Sequence, residues 1–118
     1  MIDKTKKIFA YFYKLDSGKE PVREWLLSQD RDDRRIIGKD IQKVEFGWPL
    51  GMPYSRKLER GLYEVRSNIS NGRIARVLFC IQNNRMILLH GFVKKTQATP
   101  DREKDIGRKR MKGTKENG

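Results

Sequence analysis

The sequence predicts an α+β domain of two layers. It has an N-terminal strand, an αα-hairpin, a three-stranded antiparallel meander and a C-terminal helix. Three observations carry that prediction. Asn71-Gly72 separates two runs rich in branched and aromatic residues, Leu62-Tyr63-Glu64-Val65-Arg66 and Arg73 to Ile81, which is the strongest short-range hairpin signal. Asn83-Asn84 divides the second run from a third, Met86 to Thr96, and Asn tolerates positive φ better than most residues. Between the first strand and this meander, Val22, Trp25 and Leu26, then Ile37, Ile41 and Val44, recur at helical spacing.

Taken in order, Lys7 to Tyr13 is aromatic and branched, hence a strand, and it is apolar on both faces. Asp16-Ser17-Gly18 ends it. Two signals mark the start of the first helix: Ser17 with Glu20 fits a capping box, and Pro21 suits a first turn. Asp30 is the expected N-cap of a second helix, with Asp32 and Asp33 near its positive end. Arg34, Arg35, Lys39 and Lys43 lie mostly off the apolar stripe, and Gly47 with Trp48-Pro49 stops the helix. Leu50 to Arg60 is expected to be loop. Thr99-Pro100-Asp101 opens a last helix, whose apolar residues are chiefly Ile106 and Met111, so little of it can be buried. Residues 1–112 form a single expected domain, with 113–118 a disordered tail.

The formal charge of +12 implies a polyanionic partner, nucleic acid first and an acidic protein second. No apolar run reaches the roughly 20 residues that span a bilayer, and the N-terminus lacks a signal-peptide h-region, so no membrane role is expected. A single cysteine, Cys80, excludes an intrachain disulfide and fits a reducing cytoplasm. One His and one Cys argue against a zinc site built from protein ligands.

Strand side chains alternate between faces. On that count Arg66, Arg76, His90 and Lys94 share one face of the meander. Val65, Val77, Phe79, Ile81, Ile87, Leu89 and Val93 form the core on the other. A cationic sheet face is a poor structural device and a good anion site. His90 alone has an ordinary pKa near neutrality. It is either an acid–base catalyst or a histidine hydrogen-bonded beneath the last helix. Arg56, Lys57 and Arg60 are either a solvated cluster or phosphate contacts.

Leu62-Tyr63-Glu64-Val65-Arg66, Arg76-Val77-Leu78-Phe79 and Leu89-His90-Gly91-Phe92-Val93-Lys94-Lys95-Thr96-Gln97-Ala98-Thr99-Pro100 together resemble the RelE/ParE toxin superfamily. The likeness is nearest to the phage-derived HigB-like branch of type II toxin–antitoxin systems. It implies a RelE-like fold and a metal-independent endoribonuclease that needs no cofactor. Such an enzyme enters the ribosomal A site, cuts mRNA, inhibits translation and is silenced by a HigA-like helix-turn-helix antitoxin. The resemblance also implies that Arg66 and Arg76 hold the scissile phosphate, and that Lys94 and Lys95 supply another catalytic cation. The family tyrosine has no counterpart, since Pro100, Asp101 and Arg102 occupy its neighbourhood, and Glu64 stands where some relatives have lysine. Arg56, Lys57, Arg60, Arg73, Arg108, Lys109 and Arg110 are the expected grip on mRNA and rRNA backbone. Two other functions stay open within the superfamily: gyrase inhibition of the ParE type, and non-catalytic binding of antitoxin and nucleic acid.

Overall fold

The structure, a computed structural model, describes residues 5–49, 51 and 54–117. Its elements are β1 (Phe9–Phe12), α1 (Pro21–Leu27), α2 (Arg31–Gly47), β2 (Arg56–Glu59), β3 (Leu62–Asn68), β4 (Ile74–Gln82), β5 (Arg85–Lys94) and α3 (Asp101–Asn117). The sheet runs β1-β5-β4-β3-β2, with β1 parallel to β5 and every other pair antiparallel. The α+β class holds, but the sheet has five strands where four were expected. Arg-Lys-Leu-Glu at 56–59 carries no alternation, and it becomes a strand because Arg56 and Lys57 register against Glu64 and Tyr63. Leu50, Met52 and Pro53 of the expected loop lie outside the described residues, as does Gly118 of the expected tail.

The two-layer expectation is corrected as well. Val22, Ile37, Ile41 and Val44 of α1 and α2 pack on Val65, Val77 and Phe79. A second cluster, Leu62, Leu78, Cys80, Leu89 and Phe92, lies on the opposite face and receives Met111 of α3. Helices therefore cover both faces. The last helix, short of apolar residues, is held by other means. Gly107 lets α3 approach so closely that a Cβ there would lie 3.0 Å from the Leu78 side chain. Arg110 donates to the Leu89 carbonyl at 2.8 Å, Arg108 pairs with Glu59 at 2.6 Å, and Gln82 donates to Thr114 Oγ1 at 2.9 Å. The helix continues through Asn117, so residues 113–117 are helical rather than a disordered tail.

A bulge decides what each face carries. Leu78 pairs with His90, but Phe79 pairs with Leu88, which leaves Leu89 as the extra residue. One inserted residue moves every side chain before it to the other face. Leu88 and Met86 thus join the core under α1 and α2, while Leu89 and Ile87 turn to the α3 side. This overturns the expected placing of Ile87 and Leu89. The alternation from His90 to Lys94 lies beyond the bulge and is unaffected.

The turns reverse the expected ranking. Asn83 (φ 50°) and Asn84 (φ 62°) make the tight two-residue turn, while Asn71 (φ 61°) and Gly72 (φ 68°) sit inside a longer connection. That connection is tied to α2. Asp33 accepts from the Ser70 amide at 3.0 Å, the Ser70 hydroxyl at 2.8 Å and Arg73 Nη2 at 3.0 Å. Pro21 begins α1 with Glu20 at the N-cap, so the proline signal, not Ser17, marks the start. Asp30 takes the N-cap place of α2 without a side-chain capping bond. Glu45 blunts the outer edge of β1, accepting from the Ala10 amide at 2.9 Å and Lys6 Nζ at 3.1 Å. Among the described residues no helix is long and apolar enough to cross a membrane.

The Asp33 anchor gives a pH-dependent prediction. The Ser70 amide, then the Ser70 hydroxyl, hold its carboxyl below the ordinary 3.8; burial opposes them and Arg73 adds to them. A carboxyl whose folded pKa is depressed stabilises the fold above its unfolded pKa and loses that contribution as pH falls through the folded value. Asp33→Asn should melt below the wild type at pH 7, and the gap should close as pH drops below about 3.8. Melting temperature followed against pH for both proteins checks this; a gap constant with pH would remove the anchor's ionic part.

Candidate nucleic-acid interface

The register builds three rungs across β3, β4 and β5. They are Glu64–Leu78–His90, Arg66–Arg76–Phe92 and Asn68–Ile74–Lys94. All nine side chains share the α3 face, with neighbouring rungs roughly 7 Å apart along the strands. Residues far apart in the chain, Arg66, Arg76, His90 and Lys94, thus meet on one surface.

That surface is not open. Residues 95–100 run back over it as a strap, and the strap supplies the partners. Arg66 Nε donates to the Glu64 carboxylate, Nη2 to the Gln97 carbonyl, and Nη1 to Gln97 Oε1 at 3.4 Å. Thr99 Oγ1 donates to the second Glu64 oxygen at 2.6 Å. Arg76 Nη2 donates to the Thr96 carbonyl. The run Thr96-Gln97-Ala98-Thr99 is therefore the cover of the arginine rung.

Arg76 departs most from expectation. It is 0% exposed, whereas the alternation of the strands implied an open cationic face. Its guanidinium lies 5.8 Å from the centre of the Phe92 ring. Among the described residues its Nε and Nη1 find no hydrogen-bond partner. Burial holds its pKa below the ordinary arginine value, Arg66 and Arg56 push the same way, and Glu64 opposes them. Even so, an arginine stays protonated in proteins. The chain thus buries a cation with two unmet donors, an arrangement that costs stability unless an anion meets it.

His90 takes the hydrogen-bonded place beneath α3. Its Nε2 lies 3.0 Å from Glu103 Oε1, and its ring stacks on Phe92 at 5.5 Å. Burial lowers its pKa from 6.5, Glu103 opposes that, and Arg110 adds to it. Lys94 is half-buried at the end of β5, and Lys95 is exposed where the strap begins. The peripheral cations divide. Arg56, Lys57, Arg60 and Lys109 are exposed. Arg73 is engaged by Asp33, Arg108 by Glu59 and Asp105, and Arg110 by the Leu89 carbonyl, so these three serve the fold in this structure.

Composition did not mark Glu64, Thr96, Gln97 or Thr99 as partners of the arginines. A cleft of about 230 Å³ beside Arg66, lined by Asp40, Lys43, Tyr54 and Asn68, was also not anticipated. The only signal was that Lys43 lies mostly off the apolar stripe of α2, and Asp40 carried none.

A small basic α+β domain with two arginines on one rung, a carboxylate beside them and a polar strap above has the chemistry to hold an oxyanion. Guanidinium forks pair bidentately with phosphate oxygens. The family model described as Phage derived protein Gp49-like (DUF891) matches residues 24–112. The chain belongs to that family, which is a RelE-like, toxin-type family. No curated protein matches the chain.

Proposed function

We propose that the protein is the toxin of a type II toxin–antitoxin pair, in the HigB/RelE branch, and a metal-independent endoribonuclease that cuts mRNA in the ribosomal A site. The observation that carries this reading is the Arg66–Arg76 rung: among the described residues Arg76 is hydrogen-bonded only by the Thr96 carbonyl, and Arg66 divides its donors between Glu64 and Gln97 of the strap. In the reaction, the RNA 2′-oxygen attacks phosphorus as its proton leaves, a pentavalent phosphorane forms, and the 5′-oxygen departs protonated. The two guanidiniums take the non-bridging oxygens once the strap carbonyls of Thr96 and Gln97 move off them. Phe92 supports the Arg76 plane from below. Lys94 and Lys95, at the joint between β5 and the strap, add charge as the strap lifts. Exposed Arg56, Lys57, Arg60 and Lys109 grip the RNA backbone. The expected silencing partner is a HigA-like helix-turn-helix antitoxin with an acidic segment matched to a toxin of charge +12.

Primer extension on mRNA after brief induction tests the reading. The wild type should leave cuts in translated message, and Arg66→Ala should weaken cutting about 10²–10³-fold, the loss seen when one preorganised donor to developing charge is removed. Intact message with blocked DNA supercoiling would instead favour a gyrase-directed toxin.

A further inference from the structure

We infer that the cleft beside Arg66 is a nucleobase subsite that selects guanine at the position next to the phosphate held by the arginine rung. This rests on the ribonucleolytic reading above and extends it to base selectivity.

The cleft exists because β2 stops short. Its first residue, Arg56, pairs with Glu64, so β3 from Arg66 to Asn68 has no β2 partner. Asp40 and Lys43 of α2 line the cleft beside that stretch, together with Tyr54. At about 230 Å³ the space is below the roughly 300–1,000 Å³ typical of sites for drug-sized ligands, and it suits one nucleoside. Tyr54 is 38% exposed, and it also bounds a neighbouring cleft of about 290 Å³ beside Phe46. An exposed ring between two clefts is a stacking platform, and every base has a face to stack.

The polar lining sets the base. The Asp40 carboxylate and Lys43 ammonium lie 3.5 Å apart, an acceptor pair beside a donor. Guanine alone presents two adjacent N–H donors, N1–H and N2–H₂, beside the O6 acceptor on its Watson–Crick edge. Both Asp40 oxygens can accept from those donors while Lys43 donates to O6. Adenine, cytosine and uracil each lack the second adjacent donor group. Asn68, also in the lining, can donate and accept, and Arg66 belongs both to this cleft and to the arginine rung.

The test is binding, read without cleavage. Amide chemical shifts would be followed while 3′-GMP, 3′-AMP, 3′-CMP and 3′-UMP are titrated into the full chain. In the wild type, 3′-GMP should bind most tightly and shift the amides of Tyr54, Asp40, Lys43 and Asn68. Tyr54→Ala should weaken all four nucleotides about 5- to 150-fold, the size of one base stack, and Tyr54→Trp should restore them. Asp40→Asn should erase the preference for guanine with the other three nucleotides little changed. Equal affinity for all four bases, or affinity indifferent to Tyr54, would overturn the subsite. A wild type that binds 3′-GMP as expected yet leaves message uncut would instead sink the nuclease reading and leave the subsite standing.

Discussion

Arg76→Met is expected to cripple mRNA cutting while leaving the protein as stable as the wild type, or more so. Methionine fills a similar volume on the same strand position, above Phe92 and below the strap. It removes a charge that is 0% exposed and two donors that meet no acceptor among the described residues. Arg76 shares no hydrogen bond with a carboxylate, and Glu64 keeps Arg66 and Thr99 as partners, so the change ends a burial penalty without orphaning an anion. It also relieves the repulsion from Arg66 and Arg56 that presses on Arg76. On the chemical side, one guanidinium of the rung is gone, and the loss in cutting should reach about 10²–10³-fold. The pair of measurements is thermal melting and primer extension on the same preparations. A variant that melts well below the wild type would show Arg76 to be a structural ion. One that still cuts would remove it from the reaction. Strain tolerated at a residue whose replacement stabilises the fold is the signature of a site kept for function.

Such a residue could be placed from the sequence but not its surroundings. Alternation within each strand gave the face of Arg66, Arg76, His90 and Lys94, because side-chain direction is a local property with a period of two. What lies above that face is not local. The strap that buries Arg76 begins only after Lys94, and its contacts run through backbone carbonyls of Thr96 and Gln97, which leave no trace in residue type. The bulge at Leu89 shows the same limit. Met86-Ile87-Leu88-Leu89 is apolar throughout, so no alternation exists there to reveal a register shift, and a strict period of two puts Ile87 and Leu89 in the wrong layer. Charge misled in β2, where a segment of three charged residues in four joins the sheet through its backbone. It misled again in α3, where few apolar residues suggested a loose helix. Gly107 against Leu78 and arginines bonded to Glu59 and to the Leu89 carbonyl hold that helix instead. Gly91 is a quieter case: a Cβ there would meet the Trp25 ring at 2.4 Å, so this glycine is where α1 seats on the sheet. The sequence offered Trp25 as core, and the glycine that receives it carried no mark of its own.

Glu64→Ala is expected to be the most damaging single change to the fold. Glu64 is 0% exposed and holds three elements at once: Arg66 on its own strand, Thr99 at the end of the strap, and Arg76 through their electrostatic attraction. Removing it leaves Arg66 without its only carboxylate at hydrogen-bond distance among the described residues, and buried Arg76 without the anion that attracts it. Breaking a buried pair from one side costs about 3–5 kcal/mol, because the remaining charge stays buried and uncompensated. For a domain of this size that is a fall in melting temperature of roughly 10–20 °C. The strap should also detach, since Thr99 loses its acceptor, and backbone amides of residues 95–99 should exchange faster with solvent. Glu64→Ala combined with Arg76→Met should recover much of the lost stability, because the two charges are coupled. A double variant no more stable than Glu64→Ala alone would show that the carboxylate serves Arg66 and Thr99 only, and that the buried arginine is balanced by something other than its neighbour across the sheet.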